Sequence, residues 1–393
     1  MREMKDSGIA WIGAMPWAWK MNTIAQIFLQ VKCKNTGLQE KNLLSLSYGK
    51  VKRKSIDTVE GLLPESFDGY NIIEKDDIVL RLTDLQNDHT SLRVGLAEER
   101  GIITSAYLTI RNRSNFCPKY LYYYLHSFDI AKGFYGMGAG VRQGLNWDGV
   151  KWLKILAPSV PEQERIAAFL DAECAEIDAV LEKTRASIEE YKKLKQAVIT
   201  QAVTKGIRGD RPMKDSGIEW IGEIANEFAV YKFKYLLKTP MQYGANEAGI
   251  TFDKTLPRYI RITDITSDGR LKQDNRLCIE DTVAKPYILQ DGDLLFARSG
   301  GTVGKSFLYK QSYGNAAFAG YLIRAVVNRT IAVPEYVYYY TNSSIYDTWK
   351  NSIFIQSTIQ NIGADRYSNM PIIVPNNIEE QRSIVEYLNE RCV

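Results

Sequence analysis

Apolar and small residues recur in steps of four and three along residues 161–205, a spacing typical of a long helix with one narrow apolar seam. A helix that packs on a large core has a broader stripe, so this period predicts a coiled coil. At about 1.5 Å per residue the helix is roughly 65 Å long, and Gly206 ends the pattern. The seam positions that we expect to meet a partner are Leu170, Ile177, Leu181, Ile188, Tyr191 and Val198.

On both sides of this helix the pattern changes to short apolar runs bounded by turn residues, which predict β-strands. These runs lie at residues 42–54, 76–82, 258–265, 292–300 and 321–327. Pro118 and Pro334 each open a tyrosine-rich segment, and proline is well tolerated at the first position of a helix. The expected fold class is therefore α/β, with mixed sheets in globular domains, although the pattern does not predict the strand order.

The chain contains an internal repeat. MKDSGIAWIG at 4–13 returns as MKDSGIEWIG at 213–222, with nine of ten residues identical. Three further matches follow in the same order, so chance does not explain them. They join 118–124 to 334–340, 155–158 to 372–375, and 162–166 to 380–384. The sequence therefore predicts a tandem of two similar units.

These signals divide the chain into four parts. We predict a first globular domain at 1–160, a central spacer helix at 161–206, a second globular domain at 207–376, and the start of a second spacer helix at 377–393. Asn377 and Glu380 have the spacing of a helix cap pair. Two alike globules separated by coiled-coil helices predict a pseudo-twofold arrangement, in which the helix spaces two similar ligand sites.

Composition narrows the function classes. The 393 residues are 45% hydrophobic and 24% charged, which is ordinary for a folded protein, and the net charge of +4 permits a polyanionic partner without requiring one. Five scattered cysteines and two histidines argue against a disulfide framework, a metal cluster and a Ser-His-Asp triad. The sequence has neither a signal-peptide core nor an apolar stretch of about 18 residues, so we expect a cytoplasmic protein.

Basic runs and polar loops in both units are the candidate DNA contacts, because lysine and arginine neutralise phosphates and Arg, Gln and Asn read base edges. Each of these segments is equally well explained as a solvated surface. The basic candidates are Lys50, Lys52, Arg53, Lys54, Arg81, Arg270, Lys272, Arg298 and Lys305. The loop candidates are Arg142, Gln143, Asn146, Gln356, Ser357, Gln360 and Asn361, and the two loops differ in sequence.

Several enzyme-like signals are weak. Residues 299–306 nearly spell a phosphate-binding loop, but Ser299 stands where its first glycine belongs. Residues 134–138 resemble a methyltransferase cofactor loop, yet the chain has no Pro-Pro pair of the kind that adenine methyltransferases carry. The tyrosine triplets at 122–124 and 338–340 fit core packing better than base stacking. We therefore predict neither catalytic residues nor a metal site.

The order of these motifs resembles the specificity subunit of type I restriction-modification enzymes over essentially the whole chain. The most similar pieces are MKDSGIxWIG, the stretch from Gly292 to Ser306, and the helix starts at 161–163 and 378–381. The resemblance implies that each globule is a target recognition domain for one half of a split, double-stranded DNA sequence. It also implies that the helices pair antiparallel and that two modification subunits dock around them, with restriction subunits joining through the complex.

The same resemblance implies that this chain holds no cofactor. S-adenosylmethionine, ATP and magnesium are expected in partner subunits, in the cytoplasm of a bacterium or archaeon. Two alternatives stay open: a self-contained DNA methyltransferase, and a two-headed scaffold for protein ligands. The exposed seam also permits self-association.

Overall fold

The computed structural model describes residues 2–55, 66–88, 90–138, 144–266, 269–355 and 361–392. The chain forms two compact units, Met1–Glu182 and Lys183–Val393. Helix and strand are mixed in both, as predicted, and the boundary between the units falls inside one long helix. Every helix within the described ranges is too short or too polar to cross a lipid bilayer.

The first unit is built on a four-stranded antiparallel sheet in the order β4-β11-β8-β9, and β3 pairs with β12. Its strands are β1 (Met4–Asp6), β2 (Ala14–Pro16), β3 (Lys20–Thr23), β4 (Phe28–Gln30), β5 (Leu44–Ser47), β6 (Lys50–Arg53), β7 (Asn71–Ile73), β8 (Ile78–Leu80), β9 (Val94–Leu96), β10 (Gly101–Ile103), β11 (Leu108–Asn112) and β12 (Lys154–Ala157). Its helices are α1 (Ile24–Ile27), α2 (Pro118–Ile130), α3 (Trp147–Val150) and the first part of α4 (Val160–Lys205).

The second unit contains two four-stranded sheets, β16-β23-β20-β21 and β17-β19-β18-β22, and the second is mixed because β18 and β22 run parallel. Its strands are β13 (Met213–Asp215), β14 (Glu223–Ala225), β15 (Phe228–Lys232), β16 (Gln242–Tyr243), β17 (Ile250–Thr251), β18 (Arg258–Ile260), β19 (Leu277–Cys278), β20 (Leu294–Ala297), β21 (Ser306–Leu308), β22 (Ala316–Phe318), β23 (Leu322–Ala325) and β24 (Pro371–Pro375). Its helices are α5 (Asp281–Ala284), α6 (Pro334–Tyr340), α7 (Ser344–Ile355), α8 (Ala364–Ser368) and α9 (Ile378–Cys392).

The central strands of the two main sheets are apolar throughout. All residues of β8 and β20 are buried, and each strand lies between two others. A strand covered on both faces needs no polar alternation, which explains why these segments appear in the sequence as continuous apolar runs. An aspartate starts each run: Asp77 binds Arg111, and Asp293 lies 3.7 Å from Arg324.

The first repeated motif is a β-hairpin in both units, β1–β2 and β13–β14. The turns are alike: the Ser7 amide donates to the Gly13 carbonyl at 3.0 Å, and the Ser216 amide donates to the Gly222 carbonyl at 3.0 Å. In the first unit Trp11 stacks against α2, with its ring centroid 5.1 Å from that of Phe128.

The glutamine of the repeated helix start joins three parts of each unit. In the second unit the Gln381 side chain accepts a hydrogen bond from the Val333 amide at 2.8 Å and donates to the carbonyls of Ile331 and Pro375, both at 3.1 Å. In the first unit Gln163 accepts from the Cys117 amide and donates to the Pro158 carbonyl, both at 3.0 Å. Both glutamines are fully buried.

Each tyrosine-rich segment packs a tyrosine in the core, Tyr120 in the first unit and Tyr336 in the second. Tyr120 donates to the Leu156 carbonyl at 2.9 Å, and its counterpart Tyr336 donates to the Ile373 carbonyl at 3.0 Å. Burial raises the pKa of Tyr336 well above its ordinary value, so this phenol remains a donor at any pH at which the fold persists. Base stacking by these two rings is therefore excluded.

Helix α4 lies where the sequence placed it, and most of its seam is exposed. Ile177, Leu181, Ile188 and Tyr191 have between 46% and 71% of their surface exposed. Val198 differs, since it packs against the core of the second unit and is therefore not an open seam position. Pairing of α4 with a second helix over its whole length remains a prediction.

The C-terminal part of α4 packs against α9 within the second unit. Lys195 donates to the carbonyl of Cys392, at the end of α9, while Arg211, just past α4, forms a 2.7 Å ion pair with Glu380 in the first turn of α9. These contacts require the two helices to run in opposite directions. Asn377 caps α9 as predicted, since its side-chain oxygen accepts from the Glu379 amide at 2.9 Å, but Glu380 pairs with Arg211 and does not complete the predicted cap pair.

Equivalent apolar positions differ in burial between the two units. Leu388 and Cys392 of α9 are buried in the core that includes Ile199 and Val203 of α4. Their counterparts at the same distance from the glutamine, Leu170 and Cys174, are half-buried and exposed. The first unit thus leaves uncovered a helix face that the second unit covers.

Candidate nucleic-acid interface

The basic run after β5 forms the second strand of a hairpin, β6, rather than a free loop. Lys50 makes an exposed ion pair with Asp178 at 3.2 Å, which contributes little to stability and leaves the ammonium available to a phosphate. Arg53 is engaged differently: its guanidinium binds Glu99 through two atoms, and this bond raises the pKa of Arg53 and lowers that of Glu99. Its charge is therefore compensated, which argues against the predicted DNA contact. Lys52 is exposed and Lys54 half-buried.

Arg81 follows β8 and lies 3.7 Å from Asp88 in the next loop. A residue that the sequence analysis missed, Arg93, fixes the shape of this loop. Its fully buried guanidinium donates to the carbonyls of Arg81 and Thr83 at 3.0 and 2.8 Å, and to the Tyr135 hydroxyl at 3.0 Å. The loop beside Arg81 is thus held rigidly from inside the unit.

Asn146 is a helix cap. Its side-chain oxygen accepts from the Gly149 amide at 3.2 Å at the start of α3, and the residue is exposed, so its predicted base contact stays a prediction. Other loop candidates lie outside the described residues, namely Arg142, Gln143, Gln356, Ser357 and Gln360.

A cluster of arginine, asparagine and tyrosine residues lies at one end of the sheet β16-β23-β20-β21. Arg298, which follows β20, places its guanidinium 4.9 Å from the ring centroid of Tyr243 at the end of β16. The backbone of Asn361 forms a β-bridge with Ser299 beside it. Tyr321, just before β23, is 63% exposed, and its backbone carbonyl accepts a hydrogen bond from the Arg298 amide at 3.0 Å. The sequence predicted Arg298 and Asn361 separately; the sheet brings them together and adds two tyrosines.

The Arg298 guanidinium also has unused hydrogen-bonding capacity. Its Nε atom is buried and has no hydrogen-bond partner among the described residues. A buried donor without a partner is costly, and a ligand that accepts from this edge removes that cost. Lys305, predicted with Arg298, is exposed at the other end of the same loop.

A second group of arginines surrounds the loop 272–276, and the sequence analysis missed it. Arg258, Arg261 and Arg276 donate to three carbonyls of this loop, those of Lys272, Asn275 and Gln273 respectively. A concavity of about 570 Å³ opens beside the loop. Its lining residues are Thr251, Phe252, Arg261, Gln273, Asn275, Arg276 and Leu277. The available signal was the high density of arginine between residues 258 and 276.

The predicted basic residues of this region lie on its surface. Arg270 and Lys272 are exposed, and the backbone of Arg270 closes a turn with Thr266 through bonds of 2.8 and 2.9 Å. Exposed cations next to a concave, arginine-lined surface suit phosphate contacts. Within the described ranges, no group of three or more His, Cys, Asp or Glu side chains lies close enough to hold a metal ion.

Part of the second unit matches a known protein family. Residues 258–390 match the family model of the type I restriction modification DNA specificity domain. Over 245 residues the chain is 25% identical to the type I restriction enzyme EcoKI specificity subunit of Escherichia coli (strain K12). That match covers 61% of this chain and 50% of the relative, so the chain spans about half the length of the curated protein that it matches.

Solved structures share the fold. A chain from a structural study of complex assembly and conformational transition of the type I R-M system superimposes with a TM-score of 0.64 at 16% identity, covering 96% of this chain and 90% of that one. The HsdS subunit from Thermoanaerobacter tengcongensis is similar at a TM-score of 0.47 and 14% identity, over 98% and 91% of the two chains. Residues 258–390 thus match the type I restriction modification DNA specificity domain, and the chain is similar to the specificity subunit of a type I restriction enzyme.

Proposed function

We propose that this chain is the DNA-recognition subunit of a type I restriction-modification system and catalyses no reaction itself. The observation that carries the proposal is the cluster of Arg298, Tyr243, Tyr321 and Asn361, three of which (Arg298, Tyr321 and Asn361) lie inside the matched specificity domain. Arginine and asparagine present the donors that base edges and phosphates accept, and exposed tyrosines offer stacking surfaces. The substrate is double-stranded DNA in the cytoplasm of a bacterium or archaeon.

The target is bipartite in this proposal. Each unit forms the same glutamine and tyrosine contacts around its helix start, so the supporting framework is formed twice. The candidate recognition surfaces differ, however, since Arg298 has an aromatic partner and Arg81 an acidic one. Two different surfaces on similar frameworks suit two different half-sites, about one helical turn (roughly 34 Å) apart from centre to centre. The division into domains at 1–160, 161–206, 207–376 and 377–393 belongs to this proposal.

Salt dependence of DNA binding tests the recognition role. Fluorescence anisotropy of a labelled duplex, titrated with the chain between about 50 and 200 mM salt, is expected to show a steep loss of affinity, because phosphate contacts release counterions. Affinity that does not change with salt contradicts the proposal. A protein ligand that binds the globules and is not displaced by any duplex favours the scaffold instead.

Partner subunits supply the chemistry. We propose that two modification subunits dock on the exposed seam around Ile177, Leu181, Ile188 and Tyr191, that restriction subunits join through them, and that S-adenosylmethionine, ATP and magnesium bind in those chains. Isothermal titration of the isolated chain with S-adenosylmethionine is expected to give no heat of binding. Stoichiometric binding supports the self-contained methyltransferase instead.

A further inference from the structure

Three arginines contact loop 272–276 of the second unit, and two of them, Arg261 and Arg276, line the concavity beside it. Arg258 is buried and donates to the Lys272 carbonyl. Arg261 is neutralised by Asp264 through two hydrogen bonds of 3.0 and 2.7 Å. Arg276 is only partly buried, and its contacts among the described residues are with neutral groups, so its charge is available to a ligand.

Arg276 is held in one orientation. Its guanidinium lies 5.4 Å from the ring centroid of Phe252, and its Nε atom donates to the Gln273 carbonyl at 3.0 Å. One Nη atom donates to the side-chain oxygen of the same glutamine. These contacts occupy one edge of the planar group. The other edge, formed by the two terminal nitrogens, keeps donors that a ligand can accept.

The free edge has the geometry of a guanine reader. Guanine presents two adjacent acceptors, N7 and O6, in the major groove, and a guanidinium donates to both at once. Adenine presents a donor beside its acceptor, so the same edge meets one matched and one mismatched group. A guanidinium fixed beforehand by stacking and by Gln273 loses little side-chain entropy on binding and keeps this discrimination.

The neighbouring side chains suit two kinds of DNA contact, with phosphates and with base edges. Arg270 and Lys272 are exposed on the same segment, where a cation at the surface suits a phosphate, a contact that does not read sequence. Asn275 and Gln273 line the concavity with amides, which match base edges rather than phosphates. The charge in the concavity is thus fixed, flanked by amides and suited to a base.

From this geometry we propose that Arg276 reads a guanine in the half-site of the second unit and that Gln273 is its positioning residue. The inference rests on the proposed DNA-recognition function and names a base within its target. It follows that the half-site contains a guanine whose replacement weakens binding by about 5- to 150-fold, the range expected for one bidentate contact.

Selection from a random duplex library tests the inference with the full chain. Bound duplexes are recovered and sequenced for the wild type, Arg276→Ala, Arg276→Lys and Gln273→Ala, with Arg270→Ala as the matched control. We expect the wild-type motif to contain a guanine at one position. Duplexes selected by Arg276→Ala are expected to show no base preference at that position. Gln273→Ala is expected to weaken this preference in part, and Arg270→Ala to lower affinity while leaving the motif unchanged.

Two outcomes separate the inference from the proposed function. A wild-type motif that Arg276→Ala leaves intact overturns the inference while DNA recognition stands. Enrichment of no motif by the wild type overturns both. If circular dichroism shows that Arg276→Ala does not fold, Arg276→Lys tests the inference instead. Lysine keeps the charge but lacks the pair of donors that a guanidinium presents along one edge. Full guanine preference in Arg276→Lys therefore refutes the inference.

Discussion

Replacing Gln381 by alanine removes the group that ties α9 to the rest of the second unit. The side chain is fully buried and makes three hydrogen bonds, to the Val333 amide and to the carbonyls of Ile331 and Pro375. The change therefore leaves one donor and two acceptors buried without this partner. It acts at the base of α6, which Val333 caps, and at the end of β24.

The expected cost follows from these contacts. A neutral hydrogen bond contributes about 1 kcal/mol net, and a buried group left without a partner costs roughly 1–3 kcal/mol. For three bonds in a tightly packed site we expect the free energy of unfolding of the second unit to fall by about 3–5 kcal/mol. Gln163→Ala, which loses two such bonds, is expected to cost the first unit about 2–3 kcal/mol.

Hydrogen exchange measured by mass spectrometry at increasing denaturant resolves the two units, because peptides from each report their own unfolding. Gln201→Ala is the matched control, since Gln201 is exposed on α4. Protection should fall in peptides of β24, α6 and α9 for Gln381→Ala, and remain at wild-type values for the control. A loss below about 1 kcal/mol refutes the interpretation of this glutamine as a structural tie.

Three further predictions concern binding, pH and assembly. Arg298→Ala should lower DNA affinity and, if its guanidinium meets a phosphate, reduce the slope of log K against log salt by about one. Lys285→Ala in the same unit is the control and should leave the affinity and the slope, both measured by anisotropy, unchanged. Burial raises the pKa of the Asp129 carboxyl, so the unfolded chain loses this proton at lower pH than the folded chain. The free energy of unfolding should therefore fall as pH rises from the ordinary pKa of 3.8 through the raised value. Denaturant midpoints measured across this pH range should show no such fall for Asp129→Asn. Ile188→Glu should leave the melting temperature unchanged yet abolish association with the modification subunit in sedimentation, while Leu388→Glu, at a buried position, should unfold the second unit.

Much of the secondary structure was predictable because it depends on neighbours along the chain. The seam of α4, the two proline-opened helices and the hairpin tags follow from spacing within single segments. The predicted basic run at Lys50–Arg53 was found as a strand, and the compensation of Arg53 by Glu99 was not predictable, since these residues are 46 positions apart. The capping role of Asn146 was not predicted, because a polar residue before a helix looks the same in the sequence whether it caps the helix or binds a ligand.

The sequence alone determined that this chain has two similar units, a long amphipathic helix and the motifs of its family, because repeats and periodicity are properties of the linear order of residues. Only the tertiary structure decided which charges are available. Arg93 is buried within its loop, Arg261 is neutralised by Asp264, and Arg276 and Arg298 lie against the aromatic rings of Phe252 and Tyr243, which come from other segments of the chain. The physical reason is that a guanidinium's role depends on its nearest acceptors and on its exposure, and sheet register between distant segments sets both.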